Sequence, residues 1–184
     1  MAKTKTKRKK IEEVIEVPEG INVEIKKEMI KFVKDGAEIE KKLFYPAVKQ
    51  DSNLIISCEK PTKRDKKLIK SAAAHVKNIV NGLEEKYVYK LQICSVHFPM
   101  NVSVQGNEVI IKNFLGEVKD RKAKILPNTE VKIEGEVVSV ESCDKDAAGQ
   151  TAANIETATK VKNRDRRIFQ DGIFITEKQK GRKK

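Results

Sequence analysis

Residues 54–94 read LIISCEKPTKRDKKLIKSAAAHVKNIVNGLEEKYVYKLQIC, and two changes of hydrophobic period within them decide the fold. LIISC, residues 54–58, is a β-branched apolar run bounded by polar residues, which is the pattern of a strand. Thr62 then stands where a helix N-cap accepts a backbone N–H, and Asp65, three residues on, serves as a short capping-box partner. Leu68, Ala72, Val76, Ile79 and Leu83 recur at steps of three and four, which places them on one helical face. Gly82 is the expected end of that helix. YVYKLQICSV at 87–96 returns to strand periodicity and is expected to close the unit.

Working outward, the chain repeats this order at an offset of about 80 residues. Val17-Pro18 opens alternating apolar positions at Ile21, Val23 and Ile25, and Phe98-Pro99 opens another such run at Val102 and Val104. Strand-rich stretches follow at 29–42 and 109–122, with glycine turns at Gly36 and Gly116, and Gly106-Asn107 predicts a tight hairpin. VVSVESC at 137–143 leads to a second helix over roughly 145–159, with Asp144 as its cap and Ala148, Ala152, Ile155 and Ala158 as its apolar stripe. IFQDGIFIT at 168–176 is expected to close this copy, with Asp171-Gly172 as a hairpin turn.

The fold class expected is therefore α+β: two similar tandem units, each an antiparallel sheet with one packed helix, arising from internal duplication. Residues 1–10 form a basic flexible N-terminal tail, 11–94 the first unit, 95–177 the second, and 178–184 a basic C-terminal tail. The competing reading is one α+β domain whose short strands resemble each other by chance. The shared order of proline starts, glycine turns and helices favours duplication. Units of about 80 residues have small cores, so they are expected to pack on one another or on a large partner.

Charge shows where a partner is touched. Six Lys/Arg and no acid lie in residues 1–10, and five with no acid lie in 178–184. Of the 39 basic residues this leaves 28 for positions 11–177, against 27 acidic ones, so nearly all of the +12 net charge sits on the tails. Such tails have too little apolar surface to fold alone and suit a polyanion. A mere solubility role and an anionic membrane surface are the alternatives, and no amphipathic or lipidated segment supports the membrane. No stretch approaches the roughly 18 apolar residues of a membrane span, and no secretory signal opens the chain, so a cytoplasmic address is expected.

Catalytic and metal chemistry find no foothold. Phosphate-cradling glycine loops, a nucleophile elbow and a zinc-protease helix are all missing from the sequence. Cys58, Cys94 and Cys143 are odd in number and widely spaced, which suits reduced core or sheet thiols rather than a disulfide framework. His75 and His97 lack a second ligand at helical or hairpin spacing. Both are expected to be structural, His97 as a hinge contact between the units. No enzyme, no metal and no cofactor are expected.

The basic clusters are more informative. Lys160, Lys162, Arg164, Arg166 and Arg167 fall within eight residues and lead to Lys178, Lys180, Arg182, Lys183 and Lys184. Lys119, Arg121, Lys122 and Lys124 form another run in the same unit, while Lys63, Arg64, Lys66 and Lys67 open the first helix. The second unit thus reads as the primary phosphate binder. With no Trp, three Tyr and six Phe, the chain has few rings to stack on splayed bases. Recognition of folded RNA by shape and backbone charge fits best.

HFPMNVSV at 97–104, NFLGE at 113–117, GQTAANIE at 149–156 and VKNRDRRIFQDGIFITEK at 161–178 together resemble the archaeal and eukaryotic branch of the ribosomal large-subunit protein six family. The resemblance covers about residues 14–178, and its signature falls on Gln150, Arg167, Phe169, Asp171, Gly172, Ile173, Phe174, Ile175 and Lys178. Phe174 stands where a tyrosine is usual. The resemblance implies a duplicated α+β fold and a structural, non-enzymatic role. It implies binding of large-subunit ribosomal RNA mainly through the second unit, beside neighbouring ribosomal proteins of the stalk base. It also implies proximity to the sarcin-ricin loop and to the translational GTPases that dock there, with no membrane and no homo-oligomer.

The alternative function is a non-ribosomal RNA-binding adaptor with basic tails. Sedimentation through a high-salt sucrose gradient separates the two: a ribosomal protein is expected to remain with large subunits after loosely bound factors wash off, and an adaptor to stay at the top.

Overall fold

The computed structural model describes residues 10–178 apart from 27, 28, 35, 44, 51, 52 and 60. The chain divides into two compact units, residues 1–84 and 85–184. The first runs β1 (Ile11–Glu16), β2 (Asn22–Lys26), β3 (Met29–Lys34), β4 (Ala37–Lys42), β5 (Ala47–Gln50), β6 (Asn53–Cys58) and α1 (Lys63–Glu84). The second runs β7 (Tyr87–Cys94), β8 (Asn101–Gln105), β9 (Glu108–Lys112), β10 (Arg121–Lys124), β11 (Thr129–Glu134), β12 (Val137–Ser142), α2 (Lys145–Ala158) and β13 (Gly172–Lys178). Every strand pairing is antiparallel.

The units repeat the same pairings. β1-β6-β5 in the first corresponds to β7-β12-β11 in the second, and β2-β3-β4 corresponds to β8-β9-β10. This is the duplicated α+β architecture, but its phase differs from the one the sequence suggests. The strand 87–94 does not close the first unit; it opens the second, as β1 opens the first. Its place is between β12 and β13, with Val140 opposite Tyr89 and Ile173 opposite Ile93. The expected boundary at 94/95 therefore moves to 84/85. Strand periodicity specifies which faces are buried but not which neighbour supplies the hydrogen bonds, so it could not assign this strand. β13 is then an addition with no counterpart among the described strands of the first unit.

The helices also show where periodicity is approximate. In α1 the cap forms as expected: Thr62 Oγ1 accepts from Asp65 N at 3.2 Å, and Asp65 Oδ2 accepts from Thr62 N at 2.8 Å. Tyr45 Oη donates to the other Asp65 oxygen at 2.8 Å, and these bonds hold the Asp65 carboxyl below its usual range. The buried stripe is Ile69, Ala73, Val76, Ile79, Val80 and Leu83, so the first two positions shift by one residue and Leu68 is left exposed. Gly82 lies inside the helix, which ends at Glu84. In α2 the Asp144 side chain accepts from Asp146 N at 2.9 Å, and Ala148, Ala152 and Ile155 are fully buried against the sheet.

Each core is apolar and internal to its unit. Phe32, Leu54, Ile56, Ile69 and Val76 are fully buried in the first, and Leu91, Ile111, Val138, Val140, Ile155 and Ile173 in the second. Gly106 adopts φ +58° in the two-residue loop joining β8 to β9, as the Gly-Asn pair predicts. Cys58, Cys94 and Cys143 are free and half-buried.

The rotated face of α1 has a measurable consequence. Ile69→Ala is expected to destabilise the protein by about 2–5 kcal/mol, because it opens a cavity in a closed core. Leu68→Ala should change stability by no more than about 0.5 kcal/mol. Denaturant titration of the two variants checks this.

Candidate nucleic-acid interface

The segment from α2 to β13, residues 159–171, carries the densest cluster of basic side chains among the described residues of the second unit, Lys160, Lys162, Arg164, Arg166 and Arg167, and both of its ends are fastened. At the helix end Thr159 is buried; its hydroxyl donates to Glu156 O at 3.2 Å and accepts from Ile173 N at 2.9 Å. One hydroxyl thereby satisfies a terminal carbonyl of α2 and ties it to β13. At the strand end Asp171 is 2% exposed. Its Oδ1 accepts from Val96 N at 2.8 Å and His97 N at 2.9 Å, and its Oδ2 lies 2.6 Å from His97 Nδ1. An ionised carboxylate is acceptor-only, so Nδ1 carries the proton in this contact. Burial pushes the Asp171 carboxyl up, but the bonds from His97 and Val96 outweigh it and hold it below the usual carboxylate range.

The expected Asp171-Gly172 hairpin does not form. Asp171 immediately precedes β13, and Gly172 is its first residue, opposite Cys94. The Phe174 ring lies over this glycine: a Cβ there would be 2.9 Å from Phe174 Cζ, so the ring would have to shift to admit one. From Asp171 a column of rings leads outward. The His97 ring stacks on Phe169 with centroids 4.8 Å apart, and the Arg164 guanidinium lies 4.7 Å from the Phe169 centroid. The basic segment is thus built on an ordered aromatic support.

The predicted cations divide into two groups. Lys160, Lys162 and Arg166 are exposed and have no ion-pair partner among the described residues; they are the cations most available to phosphate. Arg164 is exposed on Phe169, and Arg167 is exposed but pairs with Asp165 at 2.8 Å, which also lowers the Asp165 pKa. Lys119 and Lys178 are exposed, and Lys122 is exposed and pairs with Glu108 at 3.2 Å.

Arg121 is different. Its guanidinium binds both oxygens of Glu117, at 2.8 and 2.6 Å, and donates to Ala158 O and Lys160 O at 2.9 and 3.2 Å. It also stacks 4.2 Å from the Phe114 centroid. Every one of its terminal contacts is internal, so it fastens the end of α2 to β10 instead of offering a phosphate fork. Sequence reasoning had no means of separating it from Lys122, because its partners Ala158 and Lys160 lie 37 and 39 residues away. Gln150 likewise works inside the unit: it donates to Asn154 Oδ1 at 2.9 Å, and Asn154 donates to Lys124 O at 3.0 Å. Lys180, Arg182, Lys183, Lys184 and the N-terminal residues 1–9 lie outside the described residues.

Beside the segment is a cleft of about 700 Å³ between the end of α2, the end of β7 and the start of β13. Cys94, Val96, Val161, Phe169 and Phe174 contribute its apolar surface, with Lys160 and Arg166 also lining it. Thr159 and the Arg121 staple, which hold this surface together, escaped the sequence reading because neither lies in a recognisable motif.

The family model for ribosomal protein L6 matches residues 98–172, which span β8 to the first residue of β13. A large ribosomal subunit protein, uL6, of Methanosarcina mazei is 40% identical over 173 residues, covering 92% of this chain and 98% of that protein.

Asp171→Ala is expected to cost about 2–5 kcal/mol, since it strips the partners from two backbone donors and the His97 ring. The sign with pH follows from the depressed carboxyl: its contribution is complete above the unfolded value of about 4 and is lost as pH falls through the lower folded value. The stability gap between wild type and variant, measured by urea titration from pH 7 to pH 3, should therefore be constant near neutrality and narrow only below about pH 4.

Proposed function

The chain belongs to the ribosomal protein L6 family, and on that premise we propose that it binds large-subunit ribosomal RNA chiefly through its second unit, by way of the 159–171 segment. At the coarser level the family makes it a structural protein of the large ribosomal subunit, in the cytoplasm, associated with ribosomal RNA and other ribosomal proteins, and not an enzyme. The finer reading places it near the stalk base, the sarcin-ricin loop and the factor-binding region, with translational GTPases nearby and no self-association.

The observation that carries the RNA reading is the support under the basic segment. Lys160, Lys162 and Arg166 project from a backbone held at one end by Thr159 and at the other by Asp171. Cations fixed in position lose little conformational entropy when they meet phosphates, and each contact releases condensed counterions. The cluster at Lys63, Arg64 and Lys66 occupies the first turn of α1, where the helix N-terminus already carries positive partial charge. It has no comparable aromatic platform among the described contacts. The basic residues of the two tails add to the charge that the whole chain offers a polyanion.

Neutralising Lys160, Lys162 and Arg166 together to Gln is expected to weaken binding to a large-subunit RNA transcript and to flatten the dependence of log K on log salt by roughly one phosphate per lost contact. The same change at Lys63, Arg64 and Lys66 should do less. Filter binding at several salt concentrations, with circular dichroism to establish folding, measures both. Equal losses from the two clusters would assign the RNA to both units.

A further inference from the structure

We propose that the cleft between the end of α2, the end of β7 and the start of β13 receives a single unpaired base of the bound RNA, with the flanking phosphates held by Lys160 and Arg166. This deepens the reading above and rests on it. The composition of the cleft separates base from phosphate. Its apolar lining is Cys94, Val96, Val161, Phe169 and Phe174, of which Val96 is 66% and Phe174 43% exposed. Large apolar side chains left open beside a cluster of cations suit a partner that is flat and apolar on its faces and anionic along its backbone.

Phe169 is already engaged by His97 and Arg164, which leaves Phe174 as the ring able to stack on a base. Glu156 also lines the cleft. A carboxylate inside the site repels a phosphate but accepts from the amino group of a base edge, as the Thr157 hydroxyl and the Gln170 amide oxygen also can. The volume of about 700 Å³ lies within the range of small-molecule sites and is ample for a nucleoside. The few aromatic residues of this sequence argue against a multi-base stacking platform, and a single-base cleft is compatible with that scarcity.

The test uses the full chain and a transcript of archaeal large-subunit ribosomal RNA. Thr157 is exposed on α2 and lines the cleft, so Thr157→Trp fills the space without altering charge. Phe174→Leu removes the ring while keeping an apolar side chain. Both are expected to weaken binding roughly tenfold, the worth of one base–aromatic stack, with an unchanged salt slope because no phosphate contact is lost. Gln105→Trp, on an exposed position at the end of β8, controls for a surface tryptophan and should leave affinity unaltered. Ultraviolet crosslinking of the wild-type complex should yield nucleotide adducts on Cys94 or Phe174.

Equal affinities for Thr157→Trp and Gln105→Trp, with no adduct in the cleft, would overturn the proposal and leave backbone recognition standing; this is also the outcome if a protein segment fills the cleft. A tenfold loss accompanied by a shallower salt slope would overturn it too, since the cleft would then be holding phosphate. Failure of the wild-type chain to bind the transcript at all would refute the RNA reading itself.

Discussion

One buried carboxylate organises the basic end of the second unit. Asp171 takes two backbone N–H groups and a ring N–H from Val96 and His97, 75 and 74 residues earlier in the chain. Those donors lie where β7 has ended and can no longer be satisfied by the sheet. Left unpaired they would carry a desolvation cost of about 1–3 kcal/mol each. Meeting them fixes the residue just before β13, and hence the point at which the basic segment rejoins the sheet. The same bonds orient the His97 ring, on which Phe169 and then Arg164 are stacked.

The other end of the segment is held by different means. Thr159 closes α2 and hands its oxygen to Ile173 N, while Arg121 pins the carbonyls of Ala158 and Lys160 to β10. An arginine so engaged contributes stability rather than recognition, since four of its five N–H donors are taken by internal acceptors and no bidentate fork is left for phosphate. The division of labour is chemical. Arg121 and Asp171, whose side chains have internal partners, set the shape, while the side chains of Lys160, Lys162 and Arg166 are exposed with no ion-pair partner among the described residues. A surface of this kind can approach RNA without first becoming ordered, which is the main advantage of a folded binding segment over a charged tail.

Duplication explains why the two units share a fold without sharing a site. The pairings β1-β6-β5 and β7-β12-β11 are equivalent, as are the two three-stranded sheets. What distinguishes the second unit is β13, added beyond β7, together with the 159–171 segment that reaches it. The cation cluster lies in this addition, and the aromatic column and the cleft form where it meets the ends of β7 and α2. The family match, residues 98–172, reaches the first residue of β13 and so includes the whole segment.

Much of this was legible in the residues alone. The repeat, the reciprocal Thr62–Asp65 cap, the Asp144 cap and the Gly106-Asn107 hairpin depend on neighbours a few positions apart, and local geometry is what hydrophobic period and capping chemistry encode. The excess of charge on the tails and the cluster at 160–167 are likewise properties of composition. Tertiary structure alone decided the rest, because the deciding partners are remote in sequence. Tyr87–Cys94 has the same alternation whether it closes one sheet or opens the next, and only its hydrogen bonds to β12 and β13 assign it. Asp171-Gly172 has turn chemistry, but the carboxylate is drawn inward by donors 74 and 75 residues away, and the glycine pairs with Cys94 as the first residue of β13. Arg121 and Lys122 are adjacent and alike in charge, yet alternation along a strand sends one into a network of carbonyls and the other to solvent.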